Sequence, residues 1–317
     1  MGNSRLAKVA LSSKVREYAT GAAQSATQLL SIADFIAPTV NVASARFDYM
    51  TYDLQNRFRI PDAYRGIGGQ ATQVKTGGTE VRDQLDPYAL DYPVDEFEQA
   101  ADEDAVASLI NERADITAQL AALGWSKKVI DAALTAAGSG TDKSAATGGM
   151  DFVAEIDALI LAAKKASQCG EMCPVRVVFG PDAIMRFKNH SSTINRFKGG
   201  GAKNGVVNPT AEEAMSLLLG NPECRVAWNT YDSADEAGTP TPAFMLSTAV
   251  LVFVGSANPT RVDPSFMKTF RLRDKWMVPG TYERTDGRGS VFKFDWYAKP
   301  VVTNTTTGVI GRINLTA

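Results

Sequence analysis

The chain has 317 residues, 44% of them hydrophobic and 21% charged, with a formal net charge of −2. That length exceeds one small core and suits two modest domains with extensions, and a charge so near zero excludes a protein whose main work is gripping nucleic acid by its phosphates. No apolar run approaches the roughly 20 residues of a membrane-spanning helix, and Cys169, Cys173 and Cys224 lack the regular spacing of a disulfide framework, so the expectation is a cytoplasmic protein with reduced thiols.

Residues 1–30 are rich in Ala, Ser, Thr and Gln. They carry Arg5, Lys8, Lys14 and Arg16 with no clean apolar stretch behind them, which argues against a secretory signal. A segment so poor in bulky apolar side chains reads as an arm, ordered only against something else. Residues 32–42 then lead into the body. Residues 46–60 alternate as a strand, with Phe47 and Tyr49 on one face and Tyr52, Leu54, Phe58 and Ile60 on the other. The change of parity predicts a bulge or bend. A turn-rich stretch over 61–69 and a returning polar strand, Gln70 to Val81, complete a long hairpin. An isolated two-stranded hairpin is at best marginally stable, so its length points to a neighbour's surface.

Asp86-Pro-Tyr-Ala-Leu-Asp-Tyr-Pro93 reads as a strand breaker. The spacing of Val106, Leu109, Ile110, Ile116, Leu120 and Leu123 predicts a helix from about Val94 to Leu123. Its start is acidic, with Asp95, Glu96, Glu98, Asp102, Glu103 and Asp104, as the positive end of a helix dipole favours. Gly124 is the expected stop and Ser126 the expected cap of a second helix, Lys127 to Ala136. Residues 138–149 form the clearest linker. Beyond it come a helix from Asp151 to Ser167, a buried strand Val175–Phe179, a helix opened by Pro181-Asp182, and a Gly- and Lys-rich loop, Lys198 to Gly205. Thr210 caps a helix through Leu219. Strands follow at Cys224–Tyr231, Ala243–Gly255, Ser265–Leu272, Ser290–Ala298, Val301–Asn304 and Val309–Leu315.

Catalytic chemistry finds few candidates. The single histidine, His190, lies in a polar helix end with no nucleophile turn around it. Cys169 and Cys173 could supply two ligands, but a structural zinc takes four. The 198–205 loop lacks the Gly-Lys-Ser/Thr of a phosphate loop. The ten carboxylates between Asp83 and Glu112 are spread along the chain rather than gathered around a glycine as in a calcium loop. No catalytic residue, cofactor or metal ligand is assigned, and the chain is read as a non-enzyme.

The order of elements carries a resemblance. An Ala/Ser/Gln-rich arm leads to Ile36, Pro38, Val40 and Val42. The long hairpin, the long helix, Leu217-Leu-Leu-Gly220 before a strand, and the closing Asp295-Trp-Tyr-Ala-Lys-Pro region follow. This order is similar to that of the HK97-type major capsid proteins of tailed phages. The resemblance implies an α+β HK97-like capsid fold with an N-terminal arm (1–31) and an entrance strand with extended hairpin, the E-loop (32–85). It also implies a P-domain with a spine helix (86–140 and 257–304) and a mixed α/β A-domain (141–256 and 305–317). It further implies hexamers and pentamers of one chain closing into an icosahedral shell around double-stranded DNA, formed in the host cytoplasm. A separate scaffold protein, a portal and non-specific contact with packaged DNA are the implied partners, with no membrane. A nanocompartment shell of the encapsulin type shares the fold and is the alternative; a cytoplasmic α/β enzyme built on 150–255 is the more distant one. Because the hairpin lies over a neighbour's spine-helix domain in that family, Arg57, Arg59 and Arg65 are expected to face a neighbour's Asp95, Glu96, Glu98 and Asp102.

Overall fold

The structure, a computed structural model, describes residues 26–52, 60, 63–65, 67–73, 78–95, 105–144, 150–167, 173–199, 209–234, 239–256 and 258–316. The first element is a helix, Thr27–Ile36 (α1), burying Leu30, Ile32, Ala33, Phe35 and Ile36. It begins inside the segment read from sequence as arm, because Leu29 and Leu30 already belong to its apolar face. Two guanidinium groups hold its far end. Arg176 donates from Nη1 to the Phe35 carbonyl (3.1 Å), and Arg225 donates to the Ser31 carbonyl (3.2 Å). Both stack on the Phe35 ring, at 4.9 and 4.5 Å from its centroid.

One five-stranded sheet is built around Gly289–Val302 (β13). Met267–Leu272 (β11), Val278–Glu283 (β12) and Asp86–Asp95 (β4) all pair antiparallel with it, and Thr39–Val42 (β1) runs parallel to β11. Sequence had divided β13 at Lys299-Pro300 and missed β12. The strand is continuous because Phe292, Phe294, Trp296 and Ala298 alternate into one core while three partners hold its two edges. The stretch read as a breaker is β4 itself. Its Pro87 and Pro93 lie six residues apart in one phase, and β4 pairs with β13 alone among the described residues. An edge strand can lose those donors without breaking a ladder.

The long helix runs Ala105–Ala137 (α2), 33 residues or roughly 50 Å at 1.5 Å per residue. It starts later than sequence suggested, since Val94 and Asp95 are spent in β4, and it does not stop at Gly124. A helix-interior glycine costs about 1 kcal/mol. Burying Val129 and Ile130 beyond it returns about 1.5–3 kcal/mol each, so the two expected helices fuse. Ser126 is not a cap; its Oγ donates to the Leu29 carbonyl of α1 (2.7 Å). An aromatic cluster fastens α2 to the sheet: Tyr88 meets Trp125 and Trp296, both at 5.6 Å, and Trp276 meets Trp125 at 5.7 Å.

The second five-stranded sheet has the order Thr141–Ser144 (β5), Ile310–Thr316 (β14), Ala249–Val254 (β10), Val175–Phe179 (β6), Glu223–Val226 (β7). The strand β5 lies within the expected linker, where parallel pairing with β14 recruits a polar tetrapeptide that has no strand pattern of its own. Every residue of β6 and β10 is buried. Val250, Val252 and Val254 pack toward Phe152–Ser167 (α3) and Pro181–Asn189 (α4), whereas Ala249, Leu251 and Phe253 join the core under α1 and α2. Ser191–Gly199 (α5) and Ala211–Met215 (α6) complete this layer. A full capping box, Thr210 with Glu213, opens α6. A small pair, Thr230–Asp232 (β8) and Pro242–Phe244 (β9), projects from the sheet's edge.

Candidate assembly surface

A second two-stranded antiparallel pair, besides β8–β9, lies outside both five-stranded sheets. Arg46–Tyr52 (β2) and Gly78–Gln84 (β3) pair from Arg46↔Gln84 to Tyr52↔Gly78. Phe47, Tyr49 and Leu85 anchor the base on Val40, Val42, Phe270 and Val301. Phe47 stacks on Phe270 at 4.3 Å, and Lys299 binds Asp83 at 2.6 Å. Burial pushes the Tyr49 hydroxyl pKa up, and nearby Asp83 adds to it. Beyond this foot the hairpin meets the body through the Met50 amide, which donates to the Arg261 carbonyl (3.4 Å). Farther out, Ile60, Tyr64 and Ile67 are 94%, 85% and 110% exposed. Three large hydrophobic side chains of one short segment are thus exposed.

The charges expected on this surface are only partly in view. Of the residues expected to pair between subunits, Arg65 and Asp95 are described and Arg57, Arg59, Glu96, Glu98 and Asp102 lie outside the described residues. Arg65 is exposed. Asp95 closes β4 instead of opening α2, so the helix-dipole rationale does not reach it, and Arg284 of its own chain stands 4.0 Å away. Within the hairpin, Arg82 pairs with Asp48 at 3.4 Å.

The residues weighed for chemistry take structural places. His190 terminates α4, stacks on Phe152 at 4.1 Å, and sets Nδ1 2.7 Å from Ser192 Oγ. Burial lowers its pKa, against the pull of Asp151. The Asp151 carboxylate caps α3 through the amides of Val153 and Ala154 and binds Arg196 at 2.7 Å. Cys173 is buried, Cys169 lies outside the described residues, and burial pushes the Cys224 thiol up to about 12. No group of three or more potential ligands converges among the described residues.

Sequence reasoning missed the polar knot where the chain passes between the two sheets. Segments 255–266 and 303–309 make two of these passages. Lys268, with no exposed side-chain surface, binds Asp263 Oδ2 at 3.0 Å and donates to the Asp263 carbonyl at 2.7 Å. Asp263 also accepts from the Thr260 and Ser265 amides, at 2.6 and 3.0 Å, and from the Ser265 hydroxyl. Thr303 Oγ1 donates to the Ser265 carbonyl (2.7 Å) and Asn304 to the Pro264 carbonyl (3.3 Å), so both passages share one network. Asp263-Pro-Ser265 before a strand is a turn signal; nothing local marks Lys268 as buried.

No protein family matches the sequence, and no curated protein does. Solved structures match along nearly the whole chain. A phage-related protein of Bordetella bronchiseptica RB50 is 16% identical with a TM-score of 0.62, covering 96% of both chains. The capsid of cyanophage P-SCSP1u is 15% identical and the mature capsid of bacteriophage PhiM1 14%. Each has a TM-score of 0.50 and covers 89% of this chain and 86% of the other. The chain has the HK97-type capsid fold. In the terms of the HK97-type fold, β2–β3 is the extended hairpin called the E-loop, α2 is the spine helix on the β13 sheet, and the β10 sheet with its helices is the mixed α/β part. At these identities the HK97-type likeness is one of architecture, carried by hydrophobic pattern and connection order more than by shared residues.

Proposed function

We propose that this chain is the structural subunit of an icosahedral viral shell around double-stranded DNA, assembling from hexamers and pentamers of itself. The observation that carries the reading is the β2–β3 hairpin: its foot packs on Val40, Val42, Phe270 and Val301; Ile60, Tyr64 and Ile67, between its strands, are exposed; and it stands on the fold found in phage capsids. A contact between unlike patches of identical chains closes rings when the rotation closes. Residues 86–140 and 257–304 act as the P-domain, 141–256 and 305–317 as the A-domain, and 1–31 as the arm. Arg57, Arg59 and Arg65 face a neighbour's Asp95, Glu96, Glu98 and Asp102. A separate scaffold protein and a portal are the partners in assembly. The shell forms in the host cytoplasm and meets its DNA without sequence preference, in keeping with a net charge of −2. The role is structural rather than enzymatic.

Electron microscopy and sedimentation of the purified chain test this. Hollow particles, or rings of five and six subunits, are the expected products. Replacing residues 60–77 with a short Gly-Ser link leaves a cooperatively folding subunit and abolishes them. A compact monomer at every concentration and buffer overturns the reading.

A further inference from the structure

His190 stands between two helices and serves both. Its amide donates to the Phe187 carbonyl (3.4 Å) and closes α4, and its carbonyl accepts from the Ile194 amide (3.1 Å), the first rung of α5. Its backbone is extended, at φ −69° and ψ 142°, as a residue capping a helix N-terminus requires. The side chain completes the cap. The Ser192 amide donates to Nδ1 at 3.3 Å, and Ser192 Oγ lies 2.7 Å from the same nitrogen. An imidazole here takes the place usually held by a Ser, Thr, Asp or Asn oxygen. Unlike those groups, it changes charge near neutral pH.

Accepting the Ser192 amide requires a lone pair on Nδ1, so the cap needs the neutral ring with its proton on Nε2. A second proton goes to Nδ1. It turns that nitrogen into a donor, leaves the Ser192 amide without an acceptor, and sets a positive charge at the positive end of the α5 dipole. Water reaches the ring through a surface cavity of about 350 Å³ lined by Met185, Arg186, Asn189, His190 and Ser191. The charged groups around it come from each packed element. Asp151, at the head of α3, favours the charged ring, but its carboxylate is shared with the Val153 and Ala154 amides and with Arg196 of α5. Glu155, farther along α3, is paired with Lys143 at 3.0 Å. The last turn of α4 holds two cations, Arg186, which donates to the Leu315 carbonyl of β14, and Lys188. Burial beside Phe152 outweighs Asp151 and lowers the His190 pKa, which keeps the cap intact at neutral pH.

We propose that His190 is an acid-sensitive joint: its neutral ring caps α5, and its protonation frees the first turn of that helix while α3 and α4 stay in place. The neighbours hold because their own supports do not titrate with it. Burial would raise the Asp151 carboxyl, but Arg196 and the Ala154 and Val153 amides outweigh burial and hold it below the usual range, so the α3 cap survives mild acid. The helix α4 is seated by Ala183, Ile184 and Phe187, all buried. The joint belongs to the folded subunit and does not depend on shell formation.

Hydrogen–deuterium exchange of the full chain, corrected for the intrinsic pH dependence of exchange, reads this helix by helix. From pH about 7.5 to about 5, either side of the ordinary histidine value, protection over residues 191–197 should fall about tenfold, through the loss of one cap and an unfavourable charge at the helix end. Residues 152–163 and 181–187 should keep theirs. His190→Asn and His190→Ser supply caps that do not titrate in this range, and either should keep α5 protected at the lower pH. Unchanged protection over 191–197 in the native chain overturns the proposal. A loss that persists in both variants overturns it, and so does one spread equally over all three helices, which belongs to global stability.

Discussion

The ammonium of Lys268 lies 3.0 Å from Asp263 Oδ2 with none of its side chain in water, at the point where two chain passages join the two sheets. Removing one partner strands the other charge in a desolvated site, at a cost of about 3–5 kcal/mol. Lys268→Met and Asp263→Asn should each lower the denaturation midpoint strongly. The double variant should recover part of the loss, because no unpaired charge remains. Equal additive losses in the double-mutant cycle would show that the two side chains act separately. Burial alone would raise the Asp263 carboxyl. The Ser265 hydroxyl, the Lys268 charge and the Thr260 amide outweigh burial and hold it below the usual range. Its stabilisation is thus complete above the unfolded carboxylate value of about 3.9 and is lost as pH falls through the lower folded value. Asp263→Asn should flatten that acid limb.

His190 adds a milder dependence of the same sign. Burial beside Phe152 disfavours the charged ring more than Asp151 favours it, so the folded pKa sits below the unfolded value of about 6.5. Stability is full above that value and falls as pH drops toward the folded one, because the unfolded chain takes the proton first. Thermal melts compared at pH 7.5 and 5.5 should show a smaller difference for His190→Gln than for the native chain.

Gly124 is exposed in the interior of α2, and a Cβ there would meet nothing within 4 Å. Gly124→Ala should stabilise the isolated subunit by about 0.5–1 kcal/mol through helix propensity. An unchanged or lowered melting temperature would mean that the helix is already broken at this point.

The foot and the tip of the hairpin should respond in opposite ways. Phe47→Ala opens a cavity against Phe270 and should cost about 3–5 kcal/mol. Tyr64→Ala alters an exposed side chain and should leave stability within about 0.5 kcal/mol while reducing particle yield. Normal yield from the tip variant would remove Tyr64 from the subunit contact.

Charge reversal tests the proposed pairing between subunits. Arg57, Arg59 and Arg65 changed to Glu should block assembly, and Asp95, Glu96 and Glu98 changed to Lys in the same chain should partly restore it. Exposed pairs of about 0–1 kcal/mol each act here on register and rate. A compensated chain no better than the first, with native assembly indifferent to salt, would separate the two surfaces. Since Arg284 already stands near Asp95, Glu96 and Glu98 should carry more of the rescue.

Sequence by itself determined the elements whose pattern is local. Val175–Phe179 and the α3 face of Phe152, Ile156 and Ile160 follow from hydrophobic spacing, and the α6 cap follows from Thr210 and Glu213. The long hairpin's paired foot and the overall order of elements were legible for the same reason, and that order was enough to suggest the HK97-type fold. Tertiary structure decided wherever a distant partner outweighed a local signal. Pro87 and Pro93 became strand because β13 offered a ladder on one side and left the other edge free. Gly124 remained helical because Trp125, Val129 and Ile130 had a sheet and α1 to bury against. Thr141–Ser144 became strand by pairing with β14. Lys268 could be buried only because Asp263 and the turn around it were folded to receive its charge. Local propensities are worth a kcal/mol or less per residue, whereas burying one large apolar side chain is worth about 1.5–3 kcal/mol. The contact made far along the chain therefore overrules the local preference wherever the two conflict.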